Sequence, residues 1–374
     1  MMQISPETQL FIREHSSDDV RVLALQAKKY PDIDMPTAIT QIAGRKVAAE
    51  KIPSWWEIEK IWYPKHLSLE QCSSEITARY KARLLQGDSL TDLTGGFGID
   101  CSFLATGFKS ATYVERQEEL CEIAAHNFPV LNLNHINIKN EDGVTYLQAM
   151  SPVDCLFLDP ARRNEHGGKT VAISDCEPNV AELEELLLQK ANRVMIKLSP
   201  MLDLSLALKE LKQTQEVHIL SVNNECKELL ILLGQTSPTE ISIHCVNLST
   251  KGTQEEQHFV FTREQEQCSE CTYTDYLETY LYEPNASLLK AGAFRSIAAA
   301  YPVRKLHPNS HLYTSDTFIE NFPGRIFRIV NQCSFNKKEV KENLADLKKA
   351  NVTVRNFPAT VAELRKRCLL YTSP

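Results

Sequence analysis

The residue types best suited to chemistry gather in one stretch, Thr91-Asp92-Leu93-Thr94-Gly95-Gly96-Phe97-Gly98-Ile99-Asp100. An apolar run ends, glycines turn the chain, and an amphipathic stretch begins. Glycine belongs where φ must be positive or where a ligand touches backbone. The helix that follows presents free N–H groups at its start. Nicotinamide enzymes space these glycines G-x-G-x-x-G around a pyrophosphate. Here the spacing is G-G-x-G with Asp92 ahead of it, and an acid at the turn suits a cationic ligand better. Glu115 ends the next apolar run, Ala111–Val114, where a carboxylate can accept both hydroxyls of a ribose. Asp142 follows the third run, where a short acid could meet an adenine amine. Asp159 ends the fourth run, Val153–Leu158, and a buried charge there needs a purpose or a partner. After it, Arg162 and Arg163 could clamp a phosphate or a base, or pair with nearby acids. The polar stretch Asn164–Lys169 reads as a loop able to close over a substrate, and Lys197 could contact substrate or cap a strand end.

These positions need a scaffold that brings the ends of several strands together. From about Ser89, short apolar runs alternate with amphipathic stretches: Leu90–Leu93, Ala111–Val114, Ile136–Lys139, Val153–Leu158 and Arg193–Leu198, then Val217–Val222 and Glu228–Leu233. Strands alternating with helices predict a parallel, doubly wound sheet, which binds ligands outside its carboxyl ends. Ahead of it, residues 1–87 read as helices, the last spanning Ser68–Leu85. Trp55, Trp56 and Trp62 are expected to pack, and Tyr80-Lys81 either to pack or to reach a ligand. Behind it come a hairpin (Glu240–Leu248 and His258–Thr262), a polar linker (Glu264–Asp275), a helix over Ala286–Ala300, a strand or loop at Val303–Tyr313, a strand at Phe327–Val330, a helix at Lys337–Lys349 and a strand at Val352–Arg355.

On these residues the chain resembles class I S-adenosylmethionine-dependent methyltransferases. D-x-T-G-G-x-G is similar to their first motif, Glu115 to their second, and Asp142 to their adenine-side acid. The resemblance implies an α/β fold with a Rossmann-like doubly wound sheet and S-adenosyl-L-methionine as cofactor. It further implies that Asp92, Thr94, Gly95, Gly96 and Gly98 face the methionine end, that Glu115 grips the ribose with Arg116 beside it, and that Asp142 lies near the adenine. Asp159-Pro160-Ala161-Arg162 then stands at the family's D/N-P-P-[YFW] position, where acid and backbone carbonyl hold a target amine. The D-P-A-R form is similar to that of RNA 5-methyluridine methyltransferases, but Leu198 occupies the place of their nucleophilic cysteine. Methylation of a nitrogen, which needs no covalent intermediate, is the better expectation. Arg163 and Lys197 are expected on the substrate side.

The 374 residues, with 43% hydrophobic and 24% charged, exclude a fibrous or wholly disordered chain. No apolar run approaches the ~20 residues of a membrane helix, and no export signal opens the chain. Eleven scattered cysteines fit reduced thiols in a cytoplasmic protein better than a disulfide framework. Cys268-Ser-Glu-Cys271 lacks the second ligand pair of a zinc site, so no metal is expected. The net charge of −7 hides an asymmetry: Lys290–Pro374 holds fifteen basic and six acidic residues, a net +9, leaving −16 for the rest. A basic module on an acidic body is expected to meet a polyanion.

The strings Glu283-Pro284-Asn285-Ala286-Ser287-Leu288, Lys305-Leu306-His307-Pro308-Asn309-Ser310 and Phe322-Pro323-Gly324-Arg325 carry a further resemblance. They are similar to an uncharacterised bacterial methyltransferase family. The organisation it implies is a helical region (1–87), a class I catalytic domain (88–263), a ferredoxin-like module (276–320) and a THUMP-like domain (321–374). The last of these implies an RNA substrate, tRNA or rRNA. The terminal run from Cys368 to Pro374 reads as adapter-derived, so that domain is expected to be cut short. Two other readings stay open: an RNA-binding protein with a relic cofactor fold, and a methyltransferase for DNA, protein or a small molecule. Oligomeric state is not legible.

Overall fold

The computed structural model describes residues 4–162, 172–236, 238–250, 256–345, 347, 349–355 and 357–368. The chain divides into two units, Met1–Val222 with Lys227–Ile241, and Asn223–Cys226 with Ser242–Pro374.

The first unit is an α/β sheet beneath N-terminal helices. Its strands are β1 (Ser89–Asp92), β2 (Ser110–Glu115), β3 (Ile136–Asn140), β4 (Val153–Leu158), the short β5 (Ala161–Arg162) and β6 (Cys176–Glu177), then β7 (Ala191–Leu198), β8 (Thr214–Val222) and β9 (Glu225–Gly234). The main sheet runs β8-β9-β7-β4-β1-β2-β3, while β5 pairs with β6 apart from it. From β3 to β7 all neighbours are parallel, and β9 runs antiparallel to β7. The buried apolar runs Cys155–Leu158 of β4 and Val194–Ile196 of β7 are what the interior of a parallel sheet requires. The strand order reverses between β1 and β4, the topological switch point where open sheets bind ligands.

The N-terminal helices form two clusters. Phe11, Leu23, Met35, Ala38 and Ile42 make one. The other packs Ile52, Trp55, Ile61, Tyr63 and Leu69 against Phe97 and Ile99, the residues flanking Gly98, so the helical region is built onto the glycine turn. Trp55 meets Phe97 edge-on, and Trp62 stacks on His126. The helix expected over Ser68–Leu85 is two helices, His66–Gln71 and Glu75–Ala82. Cys72 and Ser74 are extended between them. Serine side chains compete with helical backbone bonds, and Ser73 is drawn into a buried polar cluster instead.

In the second unit, β10 (Ser242–Leu248) and β11 (Glu256–Thr262) form an antiparallel hairpin. That hairpin groups with the C-terminal residues, so the compact division falls at 241/242 and not after 263. Its ties there are polar: Gln257 accepts from Asn285 and donates to Gly324 O. The expected linker begins as a helix, Arg263–Cys268, because Thr262 and Gln265 form a reciprocal capping box. A second sheet holds β12 (Tyr280–Pro284), β13 (Arg304–His307), β14 (Ser310–Ser315) and β15 (Gly324–Arg328) in the order β13-β14-β12-β15. The expected helix over Ala286–Ala300 breaks at Gly292, whose φ of +78° ends one helix before Phe294–Ala300 begins. The expected helix over Lys337–Lys349 is shorter, Lys337–Asn343, and Val352–Arg355 forms no strand.

Candidate active site

The turn after β1 is shaped by its glycines. Gly96 and Gly98 sit at φ +53° and +86°, a region costly for any other residue. A Cβ on Gly95 would come within 2.2 Å of the Tyr113 ring. The Tyr113 hydroxyl donates to Gly96 O at 2.5 Å, and Gly95 N–H donates to Val114 O at 2.8 Å. The turn is thereby fastened to the end of β2.

Glu115 closes β2 and is 8% exposed. Its carboxylate accepts from Gly96 N–H (2.9 Å, Oε2) and Gln117 N–H (2.8 Å, Oε1). Both oxygens are thus aimed by backbone and keep lone pairs for further donors. Asp142 caps the helix Gly143–Ala149, its Oδ1 accepting from Val144 and Thr145 N–H at 3.0 Å each. Arg116, expected beside the ribose, lies in an exposed pair with Glu177 at 3.5 Å.

Asp92 behaves differently. Its Oδ1 accepts from Thr94 N–H at 2.9 Å, but its Oδ2 is buried with no partner. Burial pushes the Asp92 carboxyl up to about 8; the Thr94 amide opposes this, and the nearby charges of Asp100 and Asp159 add to it. A buried carboxylate short of a partner is costly unless something cationic or protic arrives. Thr94 also bridges the tips of β1 and β4, since Asp159 N–H donates to its hydroxyl at 2.6 Å.

At the β4 tip, Pro160 is buried and Ala161 exposed. Ala161 and Arg162 pair with Glu177 and Cys176 across β5 and β6. Arg163 and the Asn164–Lys169 stretch lie outside the described residues. The Asp159 side chain is half-buried, and Lys197 Nζ forms an ion pair with its Oδ2 at 2.6 Å. Lys197, expected on the substrate side, turns inward instead: it is 7% exposed and also donates to Ser73 and Asp100, at 3.0 Å each.

Behind this pair lies a cluster that sequence reading missed. Lys81 is fully buried and donates to Glu228 (2.5 Å) and Ser73 (3.0 Å), with Asp100 at 3.1 Å. Ser73 donates to Asp100 at 2.7 Å. Burial works against ionising Asp100, but Lys197 and Lys81 outweigh it and hold its carboxyl well below the usual range. Burial likewise disfavours the Lys197 charge, yet Asp100, Asp159 and Glu228 hold that ammonium well above the usual amine range. The only signal in the sequence was Asp100 in the first turn of the helix after the glycines, and Tyr80-Lys81 on an otherwise apolar helix face. Tyr80 itself bonds His218 Nδ1 at 2.8 Å.

Glycine turn, Glu115, Asp142 and Asp159 therefore stand at the tips of β1 to β4, around the switch point. Over its whole length the chain is similar to a crystal structure from Porphyromonas gingivalis W83 described as a "putative methyltransferase". Identity is 33%, coverage 100% of this chain and 94% of that one, and the TM-score 0.86. The chain belongs to that methyltransferase family. Within this family member, residues 280–323 match a ferredoxin-like domain and residues 324–374 a THUMP domain-like family. Weaker likenesses include an rRNA methylase from Streptococcus thermophilus (14% identity, 42% of this chain and 93% of that one, TM-score 0.31). Another is a modification subunit of a "putative type I restriction enzyme" from Vibrio vulnificus YJ016 (12%, 54% and 56%, TM-score 0.37). At those scores the likeness bears on neither substrate nor mechanism. No curated protein matches. Among the described residues no helix is long and apolar enough to cross a membrane.

Proposed function

We propose that this family member is an S-adenosyl-L-methionine-dependent methyltransferase that modifies a base nitrogen in RNA, tRNA or rRNA, in the cytoplasm. The observation that carries the reading is the pairing, at adjacent strand tips, of an orphaned buried carboxylate oxygen on Asp92 with a Glu115 carboxylate aimed by two backbone N–H groups. The residues fit the cofactor. Asp92 Oδ2 lacks the cationic donor that an α-ammonium would bring. Glu115 has lone pairs for a vicinal diol. Asp142, its Oδ1 spent on the helix cap, keeps Oδ2 for an adenine amine. When bound, S-adenosylmethionine supplies an electrophilic methyl group on sulfonium sulfur, whose C–S bond breaks as the new N–C bond forms.

The chain's own residues do the rest. Asp159 Oδ1 and the Pro160 carbonyl accept from the target nitrogen and orient its lone pair, a gain of position more than of acid–base strength. The nitrogen's proton can leave to Asp159 Oδ1 or to water. Leu198, buried in β7, offers no nucleophile for attack on a pyrimidine ring, which supports nitrogen over carbon as the target. The THUMP domain-like match and the net +9 of Lys290–Pro374 support RNA as the polyanion. Arg162 and Arg163 remain candidates for phosphate or base contact, and Arg116 for the cofactor rim.

Calorimetry with S-adenosylhomocysteine tests the cofactor half: binding by the wild type that Glu115→Ala weakens supports it, and an absence of binding removes it. Labelled methyl transfer to total RNA from a strain lacking the gene tests the substrate half. RNase-sensitive incorporation that Asp159→Ala abolishes is the expected result. Label in DNA or protein would replace RNA as substrate.

A further inference from the structure

The ammonium of Lys197 has three hydrogens to give, and three acceptors surround it: Ser73 Oγ at 3.0 Å, Asp100 Oδ2 at 3.0 Å and Asp159 Oδ2 at 2.6 Å. No donor is left for a substrate. The three acceptors come from three separate places: the break between two N-terminal helices, the first turn after the glycines, and the tip of β4. Ser73 and Asp100 are in turn bonded to each other, and both are contacted by Lys81, which Glu228 on β9 holds from the far side. Lys197 is therefore a fixed point, and Asp159 is the one member of the cluster that reaches the half-exposed surface. Among the described residues Asp159 Oδ1 has no partner.

Resting on the reading of Asp159 as the acceptor for a target nitrogen, we propose that Lys197 is a positioning residue for methyl transfer. It grips Asp159 by Oδ2, so that Oδ1 faces the substrate, and it is itself anchored by Ser73 and Asp100. The N-terminal helices thus belong to the catalytic machinery at one remove, because Ser73 and Lys81 complete the anchor. The groups that act on the Asp159 charge are Lys197 on β7, Asp100 and Asp92 around the glycine turn, and Lys81 on the helix Glu75–Ala82. Burial raises the Asp159 carboxyl above its usual range, while Lys197 pulls it back. Removing that cation leaves burial and the two neighbouring aspartates unopposed except by Lys81. Asp159 must then ionise at higher pH.

The test uses the full chain in wild-type, Lys197→Met and Lys197→Arg forms, with aspartate carboxyls labelled in ¹³C and the Asp159 signal assigned by Asp159→Asn. In Lys197→Met the Asp159 midpoint should rise by about one unit or more, a tenfold gain in proton affinity. Single-turnover transfer from labelled S-adenosylmethionine to RNA of the deletion strain should fall about 10²-fold, with its acid limb displaced upward alike. Lys197→Arg should restore the pH profile and much of the rate. Affinity for S-adenosylhomocysteine should stay within about threefold in both variants, because no Lys197 donor points at the cofactor residues. An Asp159 titration unchanged in Lys197→Met overturns the proposal. If Lys197→Met does not fold, the wild type decides: one ¹⁵N-lysine Nζ resonance, absent in Lys197→Arg, must move in Asp159→Asn, and its failure to move is equally fatal. A wild type that binds no S-adenosylhomocysteine defeats the cofactor reading alone, since the titration still reports on the Lys197–Asp159 pair.

Discussion

Two buried carboxylates, one in each unit, differ in how fully their surroundings answer them. Glu283 on β12 is 4% exposed and fully answered: Arg325, directly opposite on β15, donates to it from Nε at 2.9 Å, and Arg355 binds its other oxygen. Asp92 on β1 is 1% exposed and half answered, with one oxygen on the Thr94 amide and the other on nothing. Asp92 ends β1, and Glu283 is the last residue but one of β12. Glu283 has two guanidinium groups in direct contact, whereas Asp92 has Asp100 and Asp159 nearby, opposed only at a distance by Lys197. A carboxylate left ionised in that condition costs the fold stability until a proton or a cationic donor answers it.

The largest effect that would sharpen this contrast is at the substrate end. Asp159→Ala should lower labelled methyl transfer at least ~10³-fold while S-adenosylhomocysteine binds within a few-fold of wild type; a parallel loss of both would place Asp159 in the cofactor site. Next comes Glu115→Ala. Losing a carboxylate that accepts two ligand hydroxyls should weaken S-adenosylhomocysteine about 10²-fold by calorimetry.

Asp92 makes a prediction about pH. Its folded pKa of about 8 lies above that of the unfolded chain, near ~3.9, so the folded state holds the extra proton between those values. The contribution is complete below about pH 4 and is lost as pH rises towards 8. Asp92→Asn should remove that slope, on the order of 2–5 kcal/mol across the window, from the pH dependence of unfolding without ligand. Parallel wild-type and mutant curves would show that Asp92 titrates normally. The smallest effect belongs to the satisfied acid. Arg325 is half-exposed and Arg355 remains, so Arg325→Ala should cost only about 1–2 kcal/mol by denaturant unfolding and leave S-adenosylhomocysteine affinity unchanged.

Most of the sheet was legible because each core strand is a short apolar run bounded by turn residues, and Val153–Leu158 matched β4 to the residue. Boundaries failed where polar side chains or glycine intervened. Ser73 and Ser74 split a helix whose apolar spacing looked continuous, Gly292 split another, and a capping box at Thr262 turned an expected linker into a helix. The site was legible in part for the same reason. Residues at strand ends can be read one strand at a time, so Asp92, Glu115, Asp142 and Asp159 could all be named. Arg116 and Lys197 could be named but not oriented, because a side chain's direction depends on partners supplied by other segments.

The chain's own order of residues determined the alternation of strands and helices, the glycine turn, and which acids stand at which strand tips. These follow from local periodicity and from backbone conformations that few residues tolerate. Only the tertiary structure decided which of those acids are satisfied. Ser73, Lys81, Asp100, Lys197 and Glu228 are scattered over more than a hundred positions, and no local pattern reveals that they share one buried cluster. Inside it, charge pairing at close range governs whether a carboxylate is a strut or a hand held out.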